Sequence, residues 1–173
     1  MPAMTSPTSP ASPPPPQPPA RIRAVALALV VWRDHVLFAE GYDEVKRETF
    51  YRALGGEVEF GETAAEAAIR ELREETGHAI QVQAPLGIIE NLFMYRGATG
   101  HEICFEFVCA FAPGPSAPGA EPTEPTNLDP VTCEEGGHAF TAKWLPLAEV
   151  LAGAHRVYPE GTPDRLGAWM NTL

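Results

Sequence analysis

The sequence contains few cysteines, and they form no familiar pattern. Cys104, Cys109 and Cys133 are the three in the chain, an odd number without Cys-x-x-Cys or Cys/His spacing. A disulfide-stabilised domain or a cysteine-ligated zinc site would need a paired or closely spaced set. These absences argue against both classes and favour a protein of the reducing cytoplasm. Cys104 and Cys109 lie in an apolar segment, where we expect small core residues.

Basic residues are also scarce. The chain has 12 Lys and Arg against 23 Asp and Glu, which gives a formal net charge of −11. Sequence-independent binding to nucleic acid requires clustered cations, so we expect no stable nucleic-acid binding. The same charge repels a polyphosphate unless metal ions lie between protein and ligand. The composition therefore predicts that any phosphorylated ligand is bound through a metal.

Long apolar segments are absent as well. The longest, residues 24–32, is far shorter than the roughly 20 residues that span a bilayer, so no membrane insertion is expected. Residues 1–20 contain nine prolines, no charge and no apolar stretch of the kind found in signal peptides. We expect a solvated, partly polyproline II tail there rather than a ligand for a proline-binding domain. One folded domain should occupy residues 21–173, with a proline-rich mobile insertion at 113–132.

Glutamate, by contrast, is concentrated in residues 55–78. Seven glutamates occur in these twenty-four residues, with Arg70 and Arg73 as the two basic residues among them. Like charges one helical turn apart repel by a few tenths of a kcal/mol per pair. A structural helix gains nothing from this repulsion, so a compensating charge is expected. A hard divalent cation is the natural candidate because it prefers carboxylate oxygens.

Most of this stretch is predicted to be a helix. Thr63 followed by Glu66 is a capping box, and Gly77 is a typical residue at a helix C-terminus. Helical spacing predicts an apolar stripe that packs on a sheet and is formed by Ala65, Ala68, Ile69 and Leu72. The same spacing gathers three carboxylates on one side of the helix, within reach of a shared ion: Glu71, Glu74 and Glu75.

The rest of the chain is predicted to be mainly strands. Expected strands cover residues 21–32, 36–40, 50–54, 80–83, 86–95, 102–111 and 140–145, and short helices cover 146–151 and 164–170. A polar loop is expected at 41–48, and Gly55-Gly56 should stop the third strand. The pattern predicts an α/β chain of the α+β type, in which helices pack against a mixed sheet.

The spacing of Gly56, Glu62 and the segment Arg70-Glu71-Leu72-Arg73-Glu74-Glu75-Thr76-Gly77-His78 resembles the signature of the Nudix hydrolase family. Every fixed position matches except the last, where His78 replaces an aliphatic residue. The resemblance implies an α/β/α sandwich that contains a mixed sheet. It also implies Mg²⁺-dependent hydrolysis, with Mn²⁺ as a substitute, of a diphosphate linkage in a nucleoside diphosphate joined to another group. The partner would be a small phosphorylated molecule, and a homodimer is compatible with the family.

The resemblance also assigns roles by position. Glu71, Glu74 and Glu75 are implied as metal ligands and catalytic residues, and Glu71 or Glu75 could help to deprotonate the attacking water. Gly55 or Gly56 is implied as the source of a backbone carbonyl to a metal. Arg70 is implied as a brace for a ligating glutamate, and Glu62 as a support for the loop before the helix.

Further site residues are expected outside the signature. Family members often add a glutamate from a loop before the last strand, for which Glu135 is our candidate, with Glu134 and Glu102 as alternatives. Arg52 could contact phosphates just before the glycines.

Two tyrosines complete the expected substrate site. Tyr51 could contact phosphates beside Arg52, although it could equally belong to the core. Tyr95 could stack on a base, although its alternation with Phe93 in a strand also fits packing.

A second functional class also fits the signature. Some proteins with this fold bind nucleotides as sensors without cleaving them, and they usually lose one of the ligating glutamates. This chain keeps all three, which favours the hydrolase.

Overall fold

The computed structural model describes residues 20–112, 125 and 127–173. Residues 1–19 of the expected tail at 1–20 and most of the expected insertion at 113–132 therefore lie outside the described residues. Within those ranges the chain forms nine strands and three helices: β1 (Arg23–Trp32), β2 (His35–Asp43), β3 (Glu48–Arg52), β4 (Leu54–Glu57), α1 (Ala64–Thr76), β5 (Ile80–Tyr95), β6 (Ala98–Phe111), β7 (Val131–Glu135), β8 (His138–Pro146), α2 (Leu147–Leu151), β9 (Val157–Tyr158) and α3 (Thr162–Met170).

Strand β1 is the centre of a mixed sheet. It pairs in parallel with β6, antiparallel with β4, and forms a hairpin with β2. The main strand order is β5-β6-β1-β2-β3-β9, and β8 joins β7 to β2. Every residue from Val25 to Val30 is buried, because β1 is covered on both faces. The prediction of a first strand over residues 21–32 is confirmed.

The two faces of the sheet carry separate cores. Val25, Leu27 and Leu29 pack on one side with residues of α2 and α3, such as Val150 and Leu166. The alternate residues of β1 pack on the other side with residues of α1: Ala26, Ala28 and Val30 with Ala67, Ala68 and Leu72. Helices therefore cover both faces, which confirms the α/β/α sandwich. No helix in the described residues is long and apolar enough to span a membrane.

Several boundaries differ from the expected ones. Strand β2 continues to Asp43, so the expected loop at 41–48 shrinks to residues 44–47. Gly55 and Gly56 do not stop a strand but form part of β4, where they pair with Leu27 and Ala26. This pairing with β1 overrides the weak strand propensity of glycine.

The strands after α1 also differ in length. Residues 80–95 form one strand rather than two, because irregularities near residues 83 and 86 accommodate Pro85 without ending the pairing with β6. The turn that follows contains only Arg96 and Gly97. Val131 and Thr132 belong to β7, so the predicted insertion ends before residue 131. The predictions of helices over 146–151 and 164–170 are confirmed by α2 and α3.

Helix α1 begins and ends as predicted, and Ala68 and Leu72 are buried as predicted, but the rest of its buried face is different. The Thr63–Glu66 capping box is formed, and Gly77 lies in the left-handed region after the last turn. Ile69 of the expected apolar stripe is 36% exposed, whereas Glu75 is only 6% exposed. The helix is rotated so that a carboxylate edge faces the sheet beside β4. That rotation brings the signature glutamates against the two glycines.

Candidate active site

Strand β4 allows two glutamates of α1 to approach its backbone closely. The amide of Gly55 donates a hydrogen bond to Oε2 of Glu75 at 3.2 Å. At Gly56 a Cβ atom would lie 2.4 Å from the carboxyl carbon of Glu71, so any larger residue would displace that carboxylate. The backbone of these glycines thus positions both Glu71 and Glu75. Glycine is needed here because the carboxylates approach the backbone closely, not because the chain turns.

Arg70 connects the helix to the preceding loop. Its guanidinium donates to Glu62 at 2.6 Å, to Glu71 at 2.9 Å and to Glu74 at 3.3 Å. It also donates to the carbonyl of Glu57 at 3.1 Å. The carboxylates of Glu62 first and then Glu71 raise the pKa of Arg70 above its ordinary value, and burial opposes this rise. The contacts are those of a brace that fixes two of the signature glutamates and the loop together.

The hairpin of β7 and β8 adds more carboxylates opposite α1. Together they line a cavity of about 530 Å³, whose acidic members are Glu57, Glu59, Glu71, Glu74, Glu75, Glu134 and Glu135. Its basic members are Arg23, Arg52 and Arg70. We call this the acidic cavity. Carboxylates outnumber guanidinium groups in it, so it favours a cationic or cation-bridged ligand.

Burial and like charge act together on the two inner glutamates. Burial, with the charges of Glu135 and Glu71, raises the pKa of Glu75 to about 8, and the charge of Arg52 opposes this. Burial also raises the pKa of Glu71, while Arg70 opposes the rise and Glu74 and Glu135 add to it. Too little positive charge therefore lies near these carboxylates to stabilise their ionised forms. An added cation would favour those ionised forms.

The donor set fits a hard divalent cation. Within the described parts of the chain, no three acidic, cysteine or histidine side chains already converge as a ligand set, and Arg70 contacts both Glu71 and Glu74. The side chain of Glu74 is 62% exposed, so it can change rotamer without disturbing the core. Carboxylate oxygens from a rigid helix and an opposite hairpin are the donors that Mg²⁺ and Mn²⁺ bind. The carbonyl of Gly55, one of the two that the family resemblance implies as a metal ligand, accepts a hydrogen bond from Arg52 at 3.3 Å.

A second cavity opens beside the first. It has a volume of about 490 Å³ and an aromatic lining of Phe50, Phe93, Tyr95, Phe140 and Tyr158. We call this the aromatic cavity. Arg52, Glu75 and Glu135 line both cavities. A ligand with one phosphorylated part and one planar part could therefore occupy both at once.

The structure separates the predicted substrate residues. Arg52 lies where the cavities meet, and Tyr95 lines the aromatic cavity. Tyr51 lines neither cavity, because alternation in β3 directs it away from Arg52; its hydroxyl donates to Glu40 at 3.0 Å and its ring packs on His155. Of the alternatives to Glu135, Glu134 lines the acidic cavity, whereas Glu102 lines the aromatic one.

Sequence reasoning missed several cavity residues. Asn91, Phe50, Phe140 and Tyr158 all line the aromatic cavity, but only Phe93 and Tyr95 were considered for it. These residues come from β3, β5, β8 and β9, which long-range strand pairing brings together. The one available signal was the alternation of Asn91, Phe93 and Tyr95 on one face of β5.

The fold and site define a class, an α/β/α sandwich with a carboxylate-rich helix against a glycine strand. Solved structures share this fold. The NUDIX hydrolase from Nitrosomonas europaea has a TM-score of 0.58 at 17% identity, covering 88% of this chain and 90% of that one. The E. coli ORF135 protein has a TM-score of 0.52 at 20% identity, covering 88% and 91%.

The family follows from the sequence match. The model of the NUDIX domain family matches residues 21–164. The chain therefore belongs to the Nudix family. Among curated relatives, the protein named MutT4 of Mycobacterium tuberculosis (strain CDC 1551 / Oshkosh) is 41% identical over 59 residues. That match covers 34% of this chain and only 24% of the length of MutT4.

Proposed function

We propose that the protein is a pyrophosphohydrolase that cleaves a diphosphate linkage in a nucleoside diphosphate joined to another group, with Mg²⁺ as the cation and Mn²⁺ as a substitute. The observation that carries this proposal is the acidic cavity. Glu71, Glu74 and Glu75 reach it from one side and Glu135 from the other, and it opens into the aromatic cavity. The membership of the Nudix family supports the same reaction class.

The residues divide into ligands, supports and substrate contacts. Glu71, Glu74 and Glu75 would hold the cation, which when bound lowers the pKa of water and neutralises phosphate oxygens. Arg70 orients Glu71 and Glu74 through its hydrogen bonds. Arg52, where the two cavities meet, supplies positive charge to the phosphates. In the reaction a bond forms between water oxygen and phosphorus, the bridging P–O bond breaks, and a carboxylate accepts the proton of water.

Glu135 is our candidate for the carboxylate that accepts this proton. It is exposed, lies at the end of β7 and lines both cavities, whereas Glu102 is paired with Arg23 on the aromatic side. A base must reach the water near the cation, and of the two β7 glutamates in the acidic cavity Glu135 is the one whose charge acts on Glu71 and Glu75. Replacing Glu135 with Gln should lower kcat more than Glu134→Gln does. Equal kcat values for the two variants would contradict the assignment.

The experiment that tests the activity is a substrate panel. Nucleotide sugars, dinucleoside polyphosphates and both ordinary and oxidised nucleoside triphosphates would be incubated with Mg²⁺ or Mn²⁺, and products separated by anion-exchange chromatography. The expected result is metal-dependent cleavage of at least one class. Glu74→Gln should reduce that rate by orders of magnitude, since metal-site substitutions of this kind remove a ligand.

The matched control is Glu149→Gln. Glu149 lies on α2 across the sheet, and its side chain is 54% exposed, similar to Glu74. This variant should keep the wild-type rate. Tight nucleotide binding without product release over hours in the presence of Mg²⁺ would instead favour the nucleotide-sensing alternative.

A further inference from the structure

A row of polar side chains crosses three neighbouring strands; Asn91 and Glu102 of this row line the aromatic cavity, and Arg23 lines the acidic cavity. Arg23 of β1 is in register with Glu102 of β6, and Glu102 is in register with Asn91 of β5. The next row towards the core is apolar and consists of Val25, Cys104 and Ile89. The polar row is therefore a border between core and cavity. Asn91 lies 11 positions from Glu102 in the sequence, and Arg23 lies 79 positions from it.

Hydrogen bonds join the row from end to end. Arg23 donates to Oε1 of Glu102, and the amide nitrogen of Asn91 donates to Oε2 of Glu102 at 3.4 Å. The side chain of Glu102 is 4% exposed, so its position is fixed. A carboxylate paired with arginine only accepts hydrogen bonds, which forces the nitrogen of Asn91 to face it. The side-chain oxygen of Asn91 and its second N–H then lie side by side in the aromatic cavity, where a ligand could contact both.

The aromatic walls of the same cavity are also held in place. The ring of Phe50 lies over Gly41 and the ring of Phe93 over Gly100, each glycine being its cross-strand partner. A Cβ at Gly41 would lie 2.4 Å from the Phe50 ring, and one at Gly100 would lie 2.2 Å from the Phe93 ring. The ring of Phe50 also packs edge-on against Tyr95 and Tyr158 at 5.7 and 5.8 Å. These side chains therefore form a preset apolar slot.

We propose that Asn91 is the specificity-determining residue for a nucleobase in the aromatic cavity, and that Glu102, anchored by Arg23, is the positioning residue that fixes its amide. One acceptor and one donor side by side match the adjacent donor and acceptor atoms on the edge of a nucleobase. The aromatic side chains enclose the planar ring. This inference rests on the proposed function, since it assigns the nucleoside end of the substrate to one cavity and the phosphates to the other.

Binding measurements test the inference without any hydrolysis. Isothermal titration calorimetry in Mg²⁺ would compare AMP, GMP, CMP and UMP with ribose 5-phosphate, which keeps sugar and phosphate but lacks the base. The wild-type protein should bind at least one nucleotide about tenfold or more tighter than ribose 5-phosphate. Asn91→Leu should remove most of that difference and leave the affinity for ribose 5-phosphate unchanged.

The matched control is Leu92→Ala, the next residue of β5, whose side chain is 65% exposed on the opposite face. It should behave as the wild type. Glu102→Gln should weaken nucleotide binding as Asn91→Leu does, because glutamine can present either oxygen or nitrogen to Asn91 and no longer fixes its orientation. Equal affinity of the wild type for ribose 5-phosphate and all four nucleotides would overturn the inference, as would wild-type nucleotide binding by Asn91→Leu.

Kinetics distinguish a specific role from a structural one. With a base-bearing substrate from the panel, Asn91→Leu should raise KM about tenfold while kcat stays within about threefold, since the acidic cavity is untouched. A fall in kcat with unchanged KM would overturn the inference and leave the hydrolase proposal standing. Base-dependent binding that Asn91→Leu abolishes, in a protein that cleaves nothing, would support the inference while the hydrolase proposal fails.

Discussion

Two glutamates are buried on opposite sides of the sheet, and their surroundings differ. Glu75 of α1 is 6% exposed, and Glu106 of β6 is fully buried. Glu75 accepts one backbone hydrogen bond and faces the like charges of Glu71 and Glu135. Glu106 accepts a hydrogen bond from the hydroxyl of Thr162, and its second oxygen lies 4.0 Å from Arg165.

Burial raises the pKa of both groups, but only Glu75 also has like-charged neighbours, which act against the lowering effects of Arg52 and the Gly55 amide. Glu135 and Glu71 raise the pKa of Glu75 further, whereas Thr162 and Arg165 lower that of Glu106. Glu75 also lines both cavities, and Glu106 lines neither. Clustered like charge beside a cavity is a cost to folding, and in the proposed function the bound cation offsets this cost. A buried carboxylate met by a hydroxyl and a cation is a structural link, here between β6 and α3.

The largest expected effect is the loss of activity when Glu75 is replaced. Glu75→Gln keeps the shape and the hydrogen bond from Gly55 but removes the charge. We expect the Mg²⁺-dependent rate to fall by about 100-fold or more, since a ligand carboxylate is lost. The melting temperature should not fall, because like-charge repulsion within the acidic cavity decreases. A variant that keeps wild-type turnover, measured by product release, would contradict the role of Glu75.

The second effect concerns the glycine that makes room for Glu71. Gly56→Ala places a methyl group where the carboxylate of Glu71 now lies. We expect the rate to fall by roughly 10- to 100-fold, because the ligand is displaced from its supported position. Gly136→Ala does not serve as a control, because Gly136 has a positive φ and alanine there would strain the backbone by itself. Ala53→Gly, next to β4, loosens the backbone and removes a buried methyl group without displacing Glu71, and it should cost less activity.

The surroundings of Glu75 and of Glu106 show how much of the structure could be predicted from the sequence. The spacing of Glu71, Glu74 and Glu75 identified the acidic helix because helical geometry is local. The predicted burial of Ala68 and Leu72 is confirmed, but the predicted burial of Ile69 was wrong. Hydrophobicity alone does not indicate that the glycines of β4 make room for carboxylates against the sheet. The Glu106–Thr162 contact joins residues 56 positions apart, so no local pattern indicates it. Chain topology, not residue type, brings such pairs together.

The third effect is a loss of stability at the structural link. Thr162→Val keeps the side-chain shape but removes the hydroxyl that donates to Glu106. Leaving a buried carboxylate without its donor should cost about 1–3 kcal/mol of unfolding free energy, measured by chemical denaturation. Thr172→Val removes an exposed hydroxyl bonded to the carbonyl of Trp169 and should cost less. Equal losses for the two variants would mean that the Glu106–Thr162 bond contributes little.

The smallest effect is a change in how stability depends on pH. Burial raises the pKa of Glu106 above its ordinary value of 4.5, while Thr162 and Arg165 oppose the rise without cancelling it. The folded state therefore binds the proton more tightly than the unfolded state does. Its contribution to stability is fully present below the ordinary pKa and is lost as pH rises through the folded-state pKa.

Glu106→Gln has no charge to titrate and should remove this loss. We expect the melting temperature of the variant, followed by circular dichroism from about pH 5 to about pH 8, to fall less with rising pH than that of the wild type. Glu149→Gln, an exposed carboxylate on α2, should leave the wild-type slope unchanged. A wild-type slope in Glu106→Gln would show that Glu106 is ionised in the folded state at every pH tested. Glu106 would then differ from Glu75, whose pKa is raised to about 8, in its protonation as well as in its distance from the cavities.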